Sequence, residues 1–444
     1  MLVEEIQTAL LNEHSEAIYR MIREHHPADI ALALEELEDE EVFKFVSFIS
    51  DKALALILET QISEELQVKI VEAVPFARML NVFTYMSQDD IVDILGNLSI
   101  WQRKQFLNMM KNRDSDDLEK LLAYDPDTAG GLMTTEFIAL NENLTVYEAF
   151  ETIRKIAPEK EVIETLFVVD AKTLLKGTVD IRDIFTKSDQ QKLSEILNPN
   201  VISVTPTTDQ EEVSLIVTKY NLSVVPVVNN KNRILGIITN DDIIHVINEE
   251  YTEDMYLMGG VDSEETLDSP VFESVKRRLP WLVINLFTAF LASSVINLFS
   301  DTISQMVALA AAMPIVAGMG GNAGTQTVTI VVRALALGEV DWGDWRGMLK
   351  EIGAGFANGL ITGGVAAIAL ILMYGNVYLG VVIILAMIVD MVIAGIFGYF
   401  IPLAVKKFRG DPALVSTVFL TTATDVGGFF SFLGLATLFM PLLI

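Results

Sequence analysis

Near its end the chain carries Thr417-Val418-Phe419-Leu420-Thr421-Thr422-Ala423-Thr424-Asp425-Val426-Gly427-Gly428 inside an otherwise apolar stretch. Thr421 lies four residues before Asp425 and Thr417 eight before, so a helix would align all three oxygens on one stripe. Hydroxyls ending in a carboxylate suit a hydrated hard cation. Mg2+ in particular sheds water reluctantly and is held through one or two carboxylates plus waters. A second acid, Asp390, lies in another apolar stretch with no such stripe beside it. A carboxylate at membrane depth costs roughly 2.5–3.5 kcal/mol on insertion scales. Asp390 is therefore either a second pore group or a structural acid kept by protonation or hydrogen bonds. No Lys or Arg lies at comparable depth to pair with either acid.

The elements that must hold these acids are five apolar stretches, at about 281–300, 303–337, 352–374, 377–405 and 412–444. Each reaches the roughly 20 residues that cross a bilayer. From residue 271 onward there are nine basic residues: Lys276, Arg277, Arg278, Arg333, Arg346, Lys350, Lys406, Lys407 and Arg409. With the N-terminus in the cytoplasm, all nine fall in inside segments and none in the opposite loops, as the positive-inside rule requires. The C-terminus is then expected outside. In the second stretch Pro314 precedes Gly318-Met319-Gly320-Gly321-Asn322-Ala323-Gly324, which predicts a broken helix. A broken membrane helix marks an ion or substrate site, and the alternative is close packing of small residues against a neighbour.

The 444 residues are 51% hydrophobic and carry a net charge of -29. The imbalance sits entirely in residues 1–270, which hold 51 acids against 22 bases. Such a surface excludes nucleic acid as a partner and favours cations. Cys is 0, which excludes disulfides, zinc–thiolate sites and thiol nucleophiles. The acidic start of the chain (Glu4, Glu5) lacks the basic region of a signal peptide. No Walker GxxxxGK[ST] loop is present, so an ATP-driven pump is unsupported. All four histidines (His14, His25, His26, His245) lie outside the apolar stretches, which disfavours an intramembrane hydrolase, and no enzyme activity is expected.

Residues 1–130 read as tandem helices. Asp29-Ile30 with Leu34 and Leu37 recurs as Asp90-Ile91 with Leu95 and Leu98, then as Asp117-Leu118 with Leu122, an N-cap-like acid before apolar residues at helical spacing. From about 131 to 255, β-branched runs alternate with amphipathic helices. Phe167-Val168-Val169-Asp170 and Gly177 to Ile184 repeat as Pro226-Val227-Val228-Asn229 and Gly236 to Ile243, offset by 59 residues. The two copies read as a pair of CBS modules, either ligand-sensing or an inert dimerisation platform. ATP is a secondary candidate ligand, near Asp183 and Asp242. Acids then crowd 249–268, where Glu249, Glu250, Glu253 and Asp254 share a helical face leading toward the first span.

These residues together resemble the MgtE magnesium transporters. Tyr124-Asp125-Pro126-Asp127-Thr128-Ala129-Gly130-Gly131-Leu132-Met133-Thr134-Thr135-Glu136 opens the CBS region as in that family. Pro314 with Met319 through Gln326, Asp411-Pro412-Ala413 leading to Asp425, and Glu253-Asp254-Met255-Tyr256 with Ser274 to Trp281 are similar to its second helix, pore helix and connecting helix. The resemblance implies a multidomain chain: an α-helical superhelical N domain (1–130), an α+β tandem CBS pair (131–255), a connecting helix (256–280) and an α-helical transmembrane pore domain with five spans (281–444). It implies a homodimeric Mg2+ channel in the cell membrane, in contact with lipid, with its N-terminal domains cytoplasmic and its pore shut by cytosolic Mg2+. Asp425 would be the pore ligand, with Asn322, Thr417 and Thr421 along the path. Asp89, Asp93, Asp209, Glu211, Asp242, Glu250, Glu253 and Asp254 would hold regulatory ions. The chain departs from the pattern at Thr417, where Asn is expected, and at Asn221 and His245, where acids are expected. A regulated transporter of Co2+ or Mn2+ and a membrane sensor without transport are the other readings.

Overall fold

The structure is a computed structural model that describes residues 2–444, except Glu13, Gln61, Lys111, residues 158–161, 263–264 and 266–268, and Arg409, and except the side chains of 112–114 and 414–417. Arg409, the side chain of Thr417, and Glu264 and Asp268 in the acid-rich stretch 249–268 lie outside the described residues. The chain divides into two compact units, Met1–Ile247 and Asn248–Ile444.

The first unit begins with helices α1 (Leu2–Leu11), α2 (Ser15–Glu24), α3 (Pro27–Glu35), α4 (Asp39–Phe48) and α5 (Asp51–Leu58). It continues with α6 (Glu64–Ala73), α7 (Phe76–Phe83), α8 (Gln88–Asn97), α9 (Ile100–Met109) and α10 (Asn112–Leu121). From α1 to α6 and again at α8, each helix packs on the second after it, the connectivity of a superhelix. Phe106 of α9 stacks on Phe76 and meets Phe83 edge-on, joining α9 to α7. Of the acids expected as N-caps, Asp29 and Asp90 sit one turn inside instead, and Asp117 lies in the middle of α10. His26 caps α3 and Ser87 caps α8, each side chain accepting a backbone N–H. The working repeat is also shorter than the motif suggested. Ser63 N–H donates to Glu35 and Ser87 N–H donates to Glu59, two copies of one contact 24 residues apart. In each, an acid at the end of one helix caps the start of another.

The CBS pair contains β1 (Ala139–Asn141), α11 (Val146–Ile156), β2 (Thr165–Val169), β3 (Leu175–Asp180), α12 (Ile181–Thr186), α13 (Leu193–Ile196), α14 (Gln210–Tyr220), β4 (Val224–Val228) and β5 (Ile234–Thr239). The two antiparallel hairpins, β2–β3 and β4–β5, keep the 59-residue offset at every boundary, and even their register irregularities correspond, at Val168/Val169 and Val227/Val228. β1 pairs parallel with β2, whereas its counterpart in the second copy is a single bridge, Val204 to Val227. The equivalent residues Leu174 and Arg233 bridge to each other, as a pseudo-two-fold arrangement requires. Phe167, Val169, Val224 and Ile237 fill the core between the hairpins. Gly177 and Gly236 are equivalent as well. A Cβ at Gly177 would lie 2.6 Å from the Asn198 carbonyl oxygen, and one at Gly236 equally close to that of Thr134. Asn221, where an acid was expected, ends α14 at φ 50°, a left-handed cap that Asn tolerates well.

Helix α15 (Asn240–Met258) crosses the division between the units. The connecting helix expected over 256–280 is not one helix. α15 stops before Gly259-Gly260, with Gly260 at φ 71°, and α16 (Val271–Leu298) starts after Pro270 and runs through Pro280 into the first apolar stretch. Asp262 and Glu265 in the intervening loop pair with Arg277 and Arg278 rather than facing solvent as free acids. After α17 (Ser300–Gln305) come α18 (Ala308–Ala336), α19 (Trp345–Tyr374), α20 (Val377–Lys407) and α21 (Pro412–Leu443). Among the described residues four helices are long and apolar enough to cross a membrane: α16, α19, α20 and α21. α18, at 29 residues, is a further long helix here, and the glycines, threonines and Asn322 in its middle dilute its hydropathy. It is continuous through Pro314, not broken, and small residues pack closely on its neighbours: Gly320 lies against Asp390 and Gly324 against Leu420. α20 is the central helix of the bundle, packed on α18, α19 and α21.

Two alanine substitutions are expected to move stability in opposite directions. Gly236→Ala forces a methyl into the Thr134 carbonyl and should lower the thermal midpoint. Gly96→Ala, in α8 with open space around it, should raise stability by up to about 1 kcal/mol. Thermal unfolding of the purified full chain followed by circular dichroism checks both.

Candidate functional site

The first unit gathers carboxylates where α8 and α15 begin. Ser87 turns the chain into α8: its Oγ accepts from Asp90 N–H at 3.4 Å and donates to Asp90 Oδ2 at 2.5 Å. Asp89 follows it, 8% exposed, with no partner for Oδ1 among the described residues. At the other helix start, Thr239 ends β5 and its hydroxyl donates to Asp242 Oδ2 at 2.5 Å. The charges act on one another. Burial, against the Ser87 hydroxyl and with the charges of Asp89, Glu59 and Asp242, pushes Asp90 up to about 8. Burial and then the charge of Asp89 push Asp242 up to about 7. Asp89 and Glu59 are also raised, mainly by burial. Five acids therefore form one group: Glu59, Asp89, Asp90, Asp241 and Asp242. Helix N-termini favour the charged forms, yet burial and mutual repulsion win.

Of the expected regulatory residues, Asp89 and Asp242 are brought together here. Asp93 is exposed one turn further along α8. Asp209 and Glu211 belong to another helix start, where Asp209 caps α14 and accepts from Glu211 N–H at 2.9 Å, with Asp127 beside them. Asp183 lies in the first turn of α12, 4.0 Å from Lys187. Glu59 and Asp90 were missed by sequence reasoning. The signal that would have found Glu59 was the 24-residue repeat, which pairs it with the cap of α8.

In the second unit, Glu250, Glu253 and Asp254 lie on the last part of α15. Leu257 packs among Val328 and Val332 of α18 and Ala413 and Leu420 of α21. Asp254 is raised by burial and by the charge of Asp411, against the pull of Arg333. Asp411 caps α21, accepting from Ala413 N–H at 2.7 Å, and the Arg333 guanidinium lies 4.9 Å from the Tyr251 ring centre. An acid-bearing helix end is thus seated at the start of the helix that carries Asp425.

Asp425 is half-buried on α21, and Thr421 one turn before it is exposed. Thr422 and Thr424 turn their hydroxyls back to α21 carbonyls. On α18, Asn322, Thr325, Gln326 and Thr329 are all exposed and follow the i, i+3, i+4, i+7 spacing of one helix face. Of these only Asn322 was expected as a site residue. A polar stripe on the outside of a membrane helix is costly against lipid. Among the described residues no three acidic or histidine side chains converge to hold a metal ion, so an ion at any of these places keeps part of its water shell.

Comparison with known proteins gives a consistent result. A family model described as "MgtE: Divalent cation transporter" matches residues 313–435, the MgtE intracellular N domain matches 25–127, and CBS domains match 129–189 and 193–249. The chain is 33% identical over 450 residues to the magnesium transporter MgtE of Thermus thermophilus, covering 98% of each protein. It is 30% identical to that of Bacillus subtilis, covering 95% of this chain and 93% of the relative. A solved structure, the cytosolic domain of the Mg2+ channel MgtE in complex with ATP, is 32% identical, with a TM-score of 0.53 over 55% of this chain and 99% of that one.

The carboxylate group makes stability depend on pH with a definite sign. The folded state holds protons on Asp90 and Asp242 up to about 8 and about 7, whereas the unfolded chain loses them near 3.8. Folded protein therefore binds more protons in that window, and stability falls as pH rises through it. In buffer free of divalent cations, the thermal midpoint of the full chain should drop by roughly 5–10 °C between pH 5 and pH 8. Millimolar Mg2+ or Asp90→Asn should flatten the slope, as measured by differential scanning fluorimetry.

Proposed function

The chain belongs to the MgtE family of magnesium transporters, and on that premise we propose that it is a homodimeric channel admitting Mg2+ to the cytoplasm, closed by cytosolic Mg2+. Members of this family are transporters, not enzymes, and carry CBS regulatory domains. The single observation that carries the conduction reading is the half-buried Asp425 on α21 in a domain whose α18 exposes the polar stripe Asn322, Thr325, Gln326 and Thr329. A second copy bringing the same faces would shield them from lipid and enclose an aqueous path between two Asp425 carboxylates. The carboxylates attract a largely hydrated ion, while Thr421, Thr417 and Asn322 bind its waters. The ion must be held well enough to enter and weakly enough to leave. The membrane potential drives it inward, at about 2.3 kcal/mol per charge per 100 mV. The cytosolic domains are then inside and the C-terminus outside the cell membrane.

Gating follows from the repulsion within the acid group. Without Mg2+, Glu59, Asp89, Asp90, Asp241 and Asp242 either bind protons or push the helix starts of α8 and α15 apart. With Mg2+ they are bridged and the compact arrangement is favoured, by as much as the ion's differential affinity for it. Asp242 and Asp254 stand on the same helix, and the end of that helix rests on α18 and α21. Glu250, Glu253 and Asp254, with Asp411, would take further ions there, and Asp93, Asp209 and Glu211 others on the cytosolic domains. ATP is a regulatory ligand for the CBS pair in this reading, near Asp183. It is supported by the relative solved with ATP, and isothermal titration without heat from ATP would remove it.

Purified protein in liposomes loaded with a Mg2+-sensitive dye tests conduction: Asp425→Ala is expected to reduce uptake to background, and undiminished uptake would refute the pore assignment. In the same assay, Asp242→Asn should raise the internal Mg2+ needed for closure about tenfold, leaving uptake in low internal Mg2+ intact.

A further inference from the structure

Asp390 is the most buried charged side chain among the described residues of the second unit. It is 0% exposed, and neither of its oxygens has a hydrogen-bond partner among the described residues. Its carboxylate lies in a slot made by two glycines on two other helices. A Cβ at Gly320 of α18 would fall 2.6 Å from Asp390 Cγ, and one at Gly428 of α21 would fall 2.7 Å from Oδ1. On α21, Gly428 is one turn after Asp425, so the two acids approach the same seam. The surrounding elements offer no positive partner. α18 carries Arg333, thirteen residues past Gly320, α19 carries Arg346 and Lys350 in its first turns, α20 carries Lys406 and Lys407 sixteen and seventeen residues past Asp390, and α21 carries none. A dry, partnerless carboxylate beside a second one is among the costliest arrangements a protein interior can hold, unless a cation joins them.

We infer that Asp390 is an inner station of the transport path, sharing with Asp425 a partly hydrated divalent cation at the seam of α18, α20 and α21. The glycines are what make this possible. They let the carboxylate stand between three helices without a side chain in the way, and they leave no donor that would satisfy it in the cation's place. A hard divalent ion supplies two charges to two carboxylates and brings its own waters for the remaining positions. Asp425, half-buried, meets the ion first, and Asp390, fully buried, increases its residence. Asp390 thereby sets affinity more than access. The inference rests on the conduction reading for its consequence in flux, but not for the binding itself.

The test uses the full chain in liposomes. Asp390→Asn keeps the shape and removes the charge. It should raise the half-saturating external Mg2+ for uptake about tenfold while the maximal rate is kept, the loss of a charge-assisted ligand. An unchanged half-saturation would overturn the inference. Binding is read separately on wild-type protein by dicyclohexylcarbodiimide, which enters from lipid and labels buried carboxyl groups, with the site mapped by mass spectrometry. Mg2+, but not K+, should protect Asp390 from labelling, and Asp425→Asn should weaken that protection. Labelling of Asp390 that is equal with and without Mg2+ would show a neutral structural acid and overturn the inference, including where Asp390→Asn fails to fold. Abolished uptake in Asp425→Asn with Mg2+-independent labelling of Asp390 would reject the inner station alone. Uptake surviving Asp425→Asn with Asp390 still protected would reject the pore reading alone.

Discussion

Negative charge without fixed positive partners is the constraint on which the rest of this structure depends. Surface acids in most proteins are solvated or paired and contribute little either way. Here Asp90 and Asp242 are drawn out of water at two helix starts, and Asp390 and Asp425 stand among apolar helices with every lysine and arginine kept to the helix ends. Each group is a standing demand for a cation. In the first unit the demand has an alternative answer, since protons near neutral pH relieve it. Where acids do find partners, as Asp262 and Glu265 do with Arg277 and Arg278, they fix the chain before α16 instead of waiting for an ion.

The elements are arranged to bring that demand to helix ends that can respond. A helix start can hold acids close because its free N–H groups and dipole offset part of the repulsion. That makes the compact state reachable without making it secure. Asp242 lies in the first turn of α15 and Asp254 near its end, where the charge of Asp411 acts on it. The hydrophobic seat of Leu257 supplies the contact through which a shift of that helix would be felt by α18 and α21.

Much of this was legible in the sequence where local chemistry repeats. The hairpins of the CBS pair follow the 59-residue offset at every boundary, where β-branched runs and one glycine in the second strand of each hairpin, Gly177 and Gly236, recur together. Asp425 stood out because so few residues in that long apolar run are charged. What was hidden depends on contacts distant in sequence. Pro314 and the glycines read as a break in α18, yet the helix is continuous, and two of those glycines, Gly320 and Gly324, make room for Asp390 and Leu420 on other helices. Glu59 carried no signal of its own until Ser87, 28 residues later, revealed it as a cap. The N-cap acids Asp29 and Asp90 were misplaced by one turn for a related reason: Ser and His held the cap position, and Asp at the next turn is equally at home near a helix N-terminus.

The contact between Glu59 and Ser87 has a consequence for how the N-terminal superhelix can vary. Its twin, Glu35 with Ser63, does the same structural work one unit earlier, away from the acid group. Units of 24 residues are thus interchangeable as masonry but not as addresses. Inserting or deleting one would leave a well-formed coil whose final rung is turned to a different bearing, with Asp89 and Asp90 carried away from Asp242. The number of rungs is therefore a calibration of reach, and natural length variation in this segment should come as whole units offset elsewhere, or not at all.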